Sequence, residues 1–198
     1  LEIVSSGGSA PDDATLNKYI ESENALFDLD RAVQEKSDAK NALEEYIYAM
    51  RDNVSSTWNG FMPEVDQEEY SKKLTQYEDW LYDEGDDVSK SEYVAKRDEL
   101  TAVGAPVKAR FTEWEARKPA IESLNAAIFT VRKFLGDKVS GDEKYAHLSD
   151  DEVAKVQTAF DAAEKKCNEW VPKCAAYTKL DTPTILAAQF ISEVATLE

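Results

Sequence analysis

Apolar residues recur along this chain at helical spacing, and the pattern changes character inside the first long stretch. Leu16, Ile20, Phe27, Leu29 and Val33 are apolar without forming a continuous stripe. A polar run, Gln34 to Asn41, follows. The stripe then resumes with Leu43, Ile47, Met50 and Val54, at spacings of 4, 3 and 4. One helix over roughly residues 12–57 accounts for this, opening at Asp12 after Pro11, with Asp12 and Asp13 at the positive end of its dipole. Its second half reads as a bundle member. Its first half reads as a helix whose packing partner lies elsewhere.

Asn59-Gly60 and Pro63 predict a loop. Asp66, with Glu69 three residues on, predicts the cap of a second helix carrying Tyr70, Leu74, Tyr77 and Leu81 inward. Gly85 closes it at a place suited to a left-handed cap. Ser89 with Glu92 opens a third helix, in which Gly104 and Pro106 predict a kink or a short break. The stripe Val107, Phe111, Trp114, Ile121, Leu124, Ile128, Val131, Leu135 keeps phase across Pro119, so a bent helix is expected there. Gly136 to Ser149 reads as a loop, and Ser149 with Glu152 as a further capping box.

Val153, Val156, Phe160, Ala163, Cys167, Trp170, Cys174 and Tyr177 then alternate spacings of 3 and 4 in a heptad seam, bent at Pro172. Asp181-Thr182-Pro183 predicts the start of a last helix with Leu186, Phe190, Val194 and Leu197 inward. No strand is expected beyond a short extended piece at Leu1 to Val4. The expected fold is an all-α, antiparallel up-and-down bundle with long, partly kinked helices. Its expected parts are a flexible lead-in or the end of a preceding β domain at 1–11, the long helix at 12–57, helices two and three at 58–140, and the completing helices at 141–198.

Composition narrows the function classes. The 198 residues hold 40 acidic and 23 basic side chains, a net charge of −17, so a nucleic-acid partner is not expected. The 7 Gly and 6 Pro fit long helices and leave no phosphate-cradling Gly loop. No apolar run is long enough for a membrane span, and the first ten residues lack the layout of a secretory leader. Asn53-Val54-Ser55 matches a glycosylation acceptor but falls inside a helical pattern.

Cys167 and Cys174 lie seven apart, roughly 10 Å along one helix, too far for a disulfide. They read as small buried hydrophobes in a reducing, cytoplasmic setting. His147 is the single histidine, which excludes a paired Glu-x-x-His metal bundle and fits a surface loop. Asp83-Glu84-Gly85-Asp86-Asp87 lacks the alternating ligand spacing of a calcium loop and reads as an acidic turn. Neither a catalytic constellation nor a cofactor or metal site emerges. Two classes stay open: a binding module whose carboxylates favour basic partner patches, and an acidic helical scaffold whose charge keeps it soluble.

Two segments are more specific than the pattern: Lys40-Asn41-Ala42-Leu43-Glu44-Glu45-Tyr46-Ile47-Tyr48-Ala49-Met50-Arg51-Asp52, and Glu78-Asp79-Trp80-Leu81-Tyr82-Asp83-Glu84-Gly85. Both resemble the C-terminal helical lid of the heat shock protein 70 superfamily. The Trp-Leu-Tyr-Asp-Glu-Gly form, with Tyr145-Ala146-His147-Leu148 before a capped helix, resembles its large branch, the heat shock protein 110 family. Leu1-Glu2-Ile3-Val4 resembles the last strand of the β domain that precedes the lid.

The resemblance implies a first helix that leans on that β domain with its first half. It implies a chaperone that acts as nucleotide exchange factor for heat shock protein 70 and holds unfolded clients. The lid would embrace the partner's nucleotide-binding domain, and Glu23, Asn41 and Glu44 match the residues implicated in that contact. The nucleotide-binding and peptide-binding domains themselves are not in these residues, so neither an ATPase nor ATP binding is expected of them.

Overall fold

The computed structural model describes residues 12–198. The expectations for Leu1 to Val4 and for the lead-in at 1–11 lie outside the described residues. The fold is all-α, and no strand occurs among the described residues. Helix α1 spans Asp13–Asp52, α2 Glu64–Asp83, α3 Lys90–Val139, α4 Asp150–Ala176 and α5 Ala187–Leu197. The described chain divides into two units, one holding residues up to Met50 with Lys73–Leu100, the other holding Arg51–Lys72 with Thr101–Glu198.

In the first unit, α1 starts where Asp12 Oδ1 accepts the Thr15 amide at 2.7 Å, which satisfies one orphan donor of the first turn. Leu43, Ile47 and Met50 are buried, as their spacing requires. They pack in an up-down-up arrangement whose ends are marked by polar ties. Lys36, Lys40 and Glu35 of α1 meet Asp87, Asp86 and Lys90 at 2.7, 2.6 and 2.9 Å. Lys73 of α2 meets Glu99 of α3 at 2.9 Å. Leu74, Leu81, Tyr93 and Leu100 complete the buried set. Gly85 is not in the left-handed region: among the described residues only Gly60 and Gly141 have positive φ. Its amide donates to the Trp80 carbonyl at 2.7 Å, and a glycine is required because backbone and the Trp80 ring crowd it.

In the second unit, the helical path beyond Asp52 widens into a π-helical turn, Asn53–Thr57. The Ser55 and Ser56 hydroxyls donate to the Asp52 carbonyl at 3.0 and 2.6 Å, and the Trp58 amide reaches back five residues to Asn53. The extra residue per turn leaves Val54 and Trp58 both buried. The loop after it turns at Gly60 (φ 81°) and is pinned by Phe61. The Phe61 carbonyl accepts from Arg110 Nε and Nη2 at 3.2 and 2.8 Å, and its ring meets Phe111 and Trp114 edge-on. Helix α2 opens at Glu64, directly after Pro63, so Asp66 sits in the first turn and is not the cap.

Helix α3 runs unbroken for 50 residues through Pro106 and Pro119. No break occurs at Gly104-Pro106, because Gly104 and Val107 stay buried on the packed side while Pro106 faces solvent. The helix also absorbs Gly136, and the loop begins only at Ser140, where Lys138 Nζ holds the Tyr145 and Leu148 carbonyls at 3.1 and 2.9 Å. The Ser149–Glu152 capping box forms in full. At Ser89, the Glu92 carboxylate accepts from the Ser89 amide and hydroxyl at 3.3 and 3.1 Å.

Leu124, Ile128, Leu135, Phe160, Cys167 and Phe190 form the core of α3, α4 and α5. Cys167 and Cys174 are buried free thiols, as small hydrophobes. The last helix starts later than Pro183. Asp181 Oδ2 is turned back onto the Thr178 amide and hydroxyl at 2.6 and 2.8 Å, so it cannot cap forward. The Gln189 side chain accepts the Leu186 amide and Glu113 accepts the Ala187 amide, which fixes α5 at Ala187. Leu186 is therefore exposed, with Ile185 and Ala187 buried in its stead, while Phe190 is fully buried as its spacing requires.

Candidate functional site

The feature of the first unit that asks for a partner is the first half of α1. Leu16, Tyr19, Ile20, Leu26, Phe27, Leu29 and Val33 are all exposed, Phe27 by 65%. A run of this kind on one helix is not ordinary surface scatter. At about 100° per residue, Leu16, Ile20 and Phe27 lie on roughly the opposite side of the helix from Leu43 and Ile47. The chain therefore builds one side of α1 for its own core and leaves another side bare.

The three predicted site residues fall beside that bare side. Glu23 and Asn41 are exposed, and Glu44 is half-buried. Glu23 and Asn41 are separated by 18 residues, about five whole turns and 27 Å, so they share one azimuth. Asn41 and Glu44 are neighbours one turn apart. Helical geometry thus joins Asn41 to Glu44 directly and lines up Glu23 with them at a distance. Tyr19, Leu26, Asp30 and Tyr48 fall on the same face, whose middle carries Asp12, Glu23, Asp30 and Glu44, while Lys40, tied to Asp86, and Arg31, tied to Asp28, stand at its two edges.

Sequence reasoning missed the two tyrosines that fix Glu44. The Tyr82 hydroxyl, from α2, donates to the Glu44 carboxylate in a short contact. Its single proton is used there, so Tyr48 donates in turn to the Tyr82 oxygen, at 2.8 Å. The Glu44 carboxylate beside it, then Tyr48, holds the Tyr82 phenol well above its ordinary range. Tyr82 sits in the Trp-Leu-Tyr segment singled out above, so the signal was present as a motif without an assigned role.

The acidic turn after α2 is taken up internally. Lys40 beside Asp86, and Lys36 beside Asp87, hold both carboxyls below the usual range. Among the described residues no group of three or more His, Cys, Asp or Glu could hold a metal ion. His147 is an exposed loop residue, and among the described residues no helix is long and apolar enough to cross a membrane.

The family model described as "Hsp70 protein" matches residues 2–113, which take in α1, α2 and the first part of α3. This chain belongs to the heat shock protein 70 family. Its similarity extends further along the chain to larger members. It is 37% identical over 191 residues to "Heat shock protein 110" of Caenorhabditis elegans, covering 96% of this chain and 24% of that protein. It is 34% identical over 185 residues to "97 kDa heat shock protein" of Mesocentrotus franciscanus, covering 93% and 21%. It is 37% identical over 153 residues to "Heat shock 70 kDa protein 4" of Homo sapiens, covering 77% and 18%. The chain spans a quarter or less of the length of these heat shock proteins. The exposed face of α1 and the Glu44–Tyr82–Tyr48 cluster both lie within the stretch that carries the family match.

Proposed function

We propose that this chain is the helical lid region of a cytoplasmic heat shock protein 110-type chaperone, and that it works by binding without catalysing a reaction. Its partner is the nucleotide-binding domain of heat shock protein 70, whose nucleotide exchange the whole protein promotes. The observation that carries this reading is the face of α1 that joins exposed apolar residues to Glu23, Asn41 and Glu44 and is acidic along its middle, its edge cations Arg31 and Lys40 being already paired with carboxylates. Such a face suits a partner patch of basic and apolar residues, and its charge would raise the rate of encounter. Glu44 is presented in one orientation by Tyr82, which lowers the entropy lost on docking.

Backbone hydrogen exchange on the whole protein, with and without the partner's nucleotide-binding domain, tests this. Segments carrying Glu23 and Asn41 to Tyr48 should slow in the complex. Slowing confined to other surfaces would overturn the assignment.

The same bare stretch favours a second role, the holding of unfolded clients. Leu26 and Phe27 are 60% and 65% exposed. Light scattering by a heated client should fall with this chain in excess. It should return toward control with Leu26→Ser and Phe27→Ser, and no suppression by the unaltered chain removes the role.

A further inference from the structure

A second candidate site lies in the other unit. A cleft of about 450 Å³ opens between α3 and α4, lined by Trp114, Arg117, Ile121, Val171, Cys174 and Tyr177. Its volume is that of a small-ligand pocket. Arg117 is 8% exposed, and its Nε has no hydrogen-bond partner. No carboxylate of the described residues pairs with it. Glu113, one turn back, accepts the Ala187 amide at 2.6 Å instead. The guanidinium carbon lies 5.6 Å from the Trp114 ring centre and 5.1 Å from that of Tyr177. Two aromatic faces thus hold the cation in place without supplying an acceptor. Lys118 and Glu122 at the cleft are exposed and 4.0 Å apart, so their charges offset each other there.

A buried guanidinium with an unused N–H is costly unless something completes it. The planar fork fits a carboxylate, which accepts two parallel hydrogen bonds. The surrounding wall of Ile121, Val171 and Cys174 fits an apolar group attached to that carboxylate. A phosphate dianion would suit this wall less well, since its second charge would have to be desolvated and the other cation at the cleft, Lys118, is already offset by Glu122. We propose that this cleft binds an organic carboxylate carried on an apolar body. Two sources supply that chemistry: a small aryl or alkyl acid, and the free C-terminus of a peptide ending in an apolar residue.

The test uses the 198-residue chain and records the Arg117 Nε–H and Trp114 indole N–H resonances. The probes are phenylbutyrate and a short peptide ending in leucine, each also as its amide. The free acids should shift both resonances saturably, with the amides about tenfold weaker, the loss of one charge-assisted pairing. Shifts with phenylbutyrate alone assign a small-molecule site, and shifts with the peptide assign a terminus-reading site. Arg117→Gln should abolish the response. Ile121→Trp, which fills the cleft and keeps Arg117, should abolish it as well, so the outcome does not hang on one variant folding. Equal binding of acids and amides, persistence of the shifts in both variants, or no response to either acid would overturn the proposal.

Discussion

Gly85 closes α2 at the end of the Trp-Leu-Tyr-Asp-Glu-Gly segment, and the reason it is glycine can be measured. A Cβ placed there would lie 2.9 Å from the Trp80 carbonyl oxygen, 3.0 Å from Leu81 Cα and 3.1 Å from the Trp80 ring. Two of those three atoms are backbone and cannot turn aside. The Gly85 carbonyl also accepts the Tyr93 hydroxyl, and the Tyr93 ring stands edge-on to Trp80 at 5.9 Å. Any shift of Gly85 therefore disturbs the contact between the fully buried Tyr93 and the half-buried Trp80. Overpacking of this kind costs about 1–3 kcal/mol. Gly60 provides the contrast. Its φ is +81°, and its Cβ would meet only the Lys179 side chain at 3.4 Å. Alanine there costs about 1–2 kcal/mol for the left-handed backbone, and asparagine less.

The two sites should rank alanine and asparagine differently. At position 60, Asn should be milder than Ala. At position 85, Asn should be no milder than Ala, because the added bulk meets the same backbone. Urea unfolding followed by circular dichroism on the four single variants gives the comparison. Each 1 kcal/mol corresponds to about 0.3–1 M in the urea midpoint. Equal tolerance of Asn at both positions would refute the crowding argument and restore a left-handed Gly85.

Three further outcomes follow from the packing and electrostatics. Asp86, Asp87 and Glu35 have folded-state pKa values lowered by Lys40, Lys36 and Lys90, so their contribution is present above the unfolded values of 3.8 and 4.5 and is lost as pH falls through the folded ones. The turn at 84–89 should loosen in acid below about pH 4, seen as faster amide exchange there. It should loosen already at neutral pH in a Lys36→Ala, Lys40→Ala double variant, and unchanged exchange in both cases would contradict the ties. Phe190 is fully buried against Trp170, at 5.4 Å between ring centres, and Phe190→Ala should cost about 3–5 kcal/mol. Amides of α5 should then exchange far ahead of those of α4, and an unaltered α5 would refute its role as the anchor.

Periodicity made the buried faces legible. Leu43, Ile47, Leu124, Phe160 and Phe190 are buried where their spacing put them, because a helix must bury one stripe. Ends were less legible, because tertiary contacts decide them. The Ala187 amide is capped by Glu113 from 74 residues away, and no local rule points there. Pro183 looked like a first-turn proline, but Asp181 had already turned back onto Thr178. Gly104 and Pro106 looked like breakers, yet α3 continues, since packing on one side outweighs one missing donor on the solvent side. At the candidate interface, the residues taken from the resemblance lie on one helix face, which spacing alone could have told. Their orientation could not have been told, because Tyr82 reaches Glu44 across 38 residues of sequence.

We propose above that the exposed face of α1 docks the nucleotide-binding domain of heat shock protein 70. Release of labelled nucleotide from that domain tests it most directly, driven by the whole protein carrying Glu23→Ala, Asn41→Ala and Glu44→Ala. Glu21→Ala, on the other side of the helix, serves as the control. The account predicts exchange slowed about tenfold or more by the triple variant, the size expected when interface charge pairs are removed, and unchanged by the control. An unchanged rate with the triple variant, at matched folding and concentration, would contradict it.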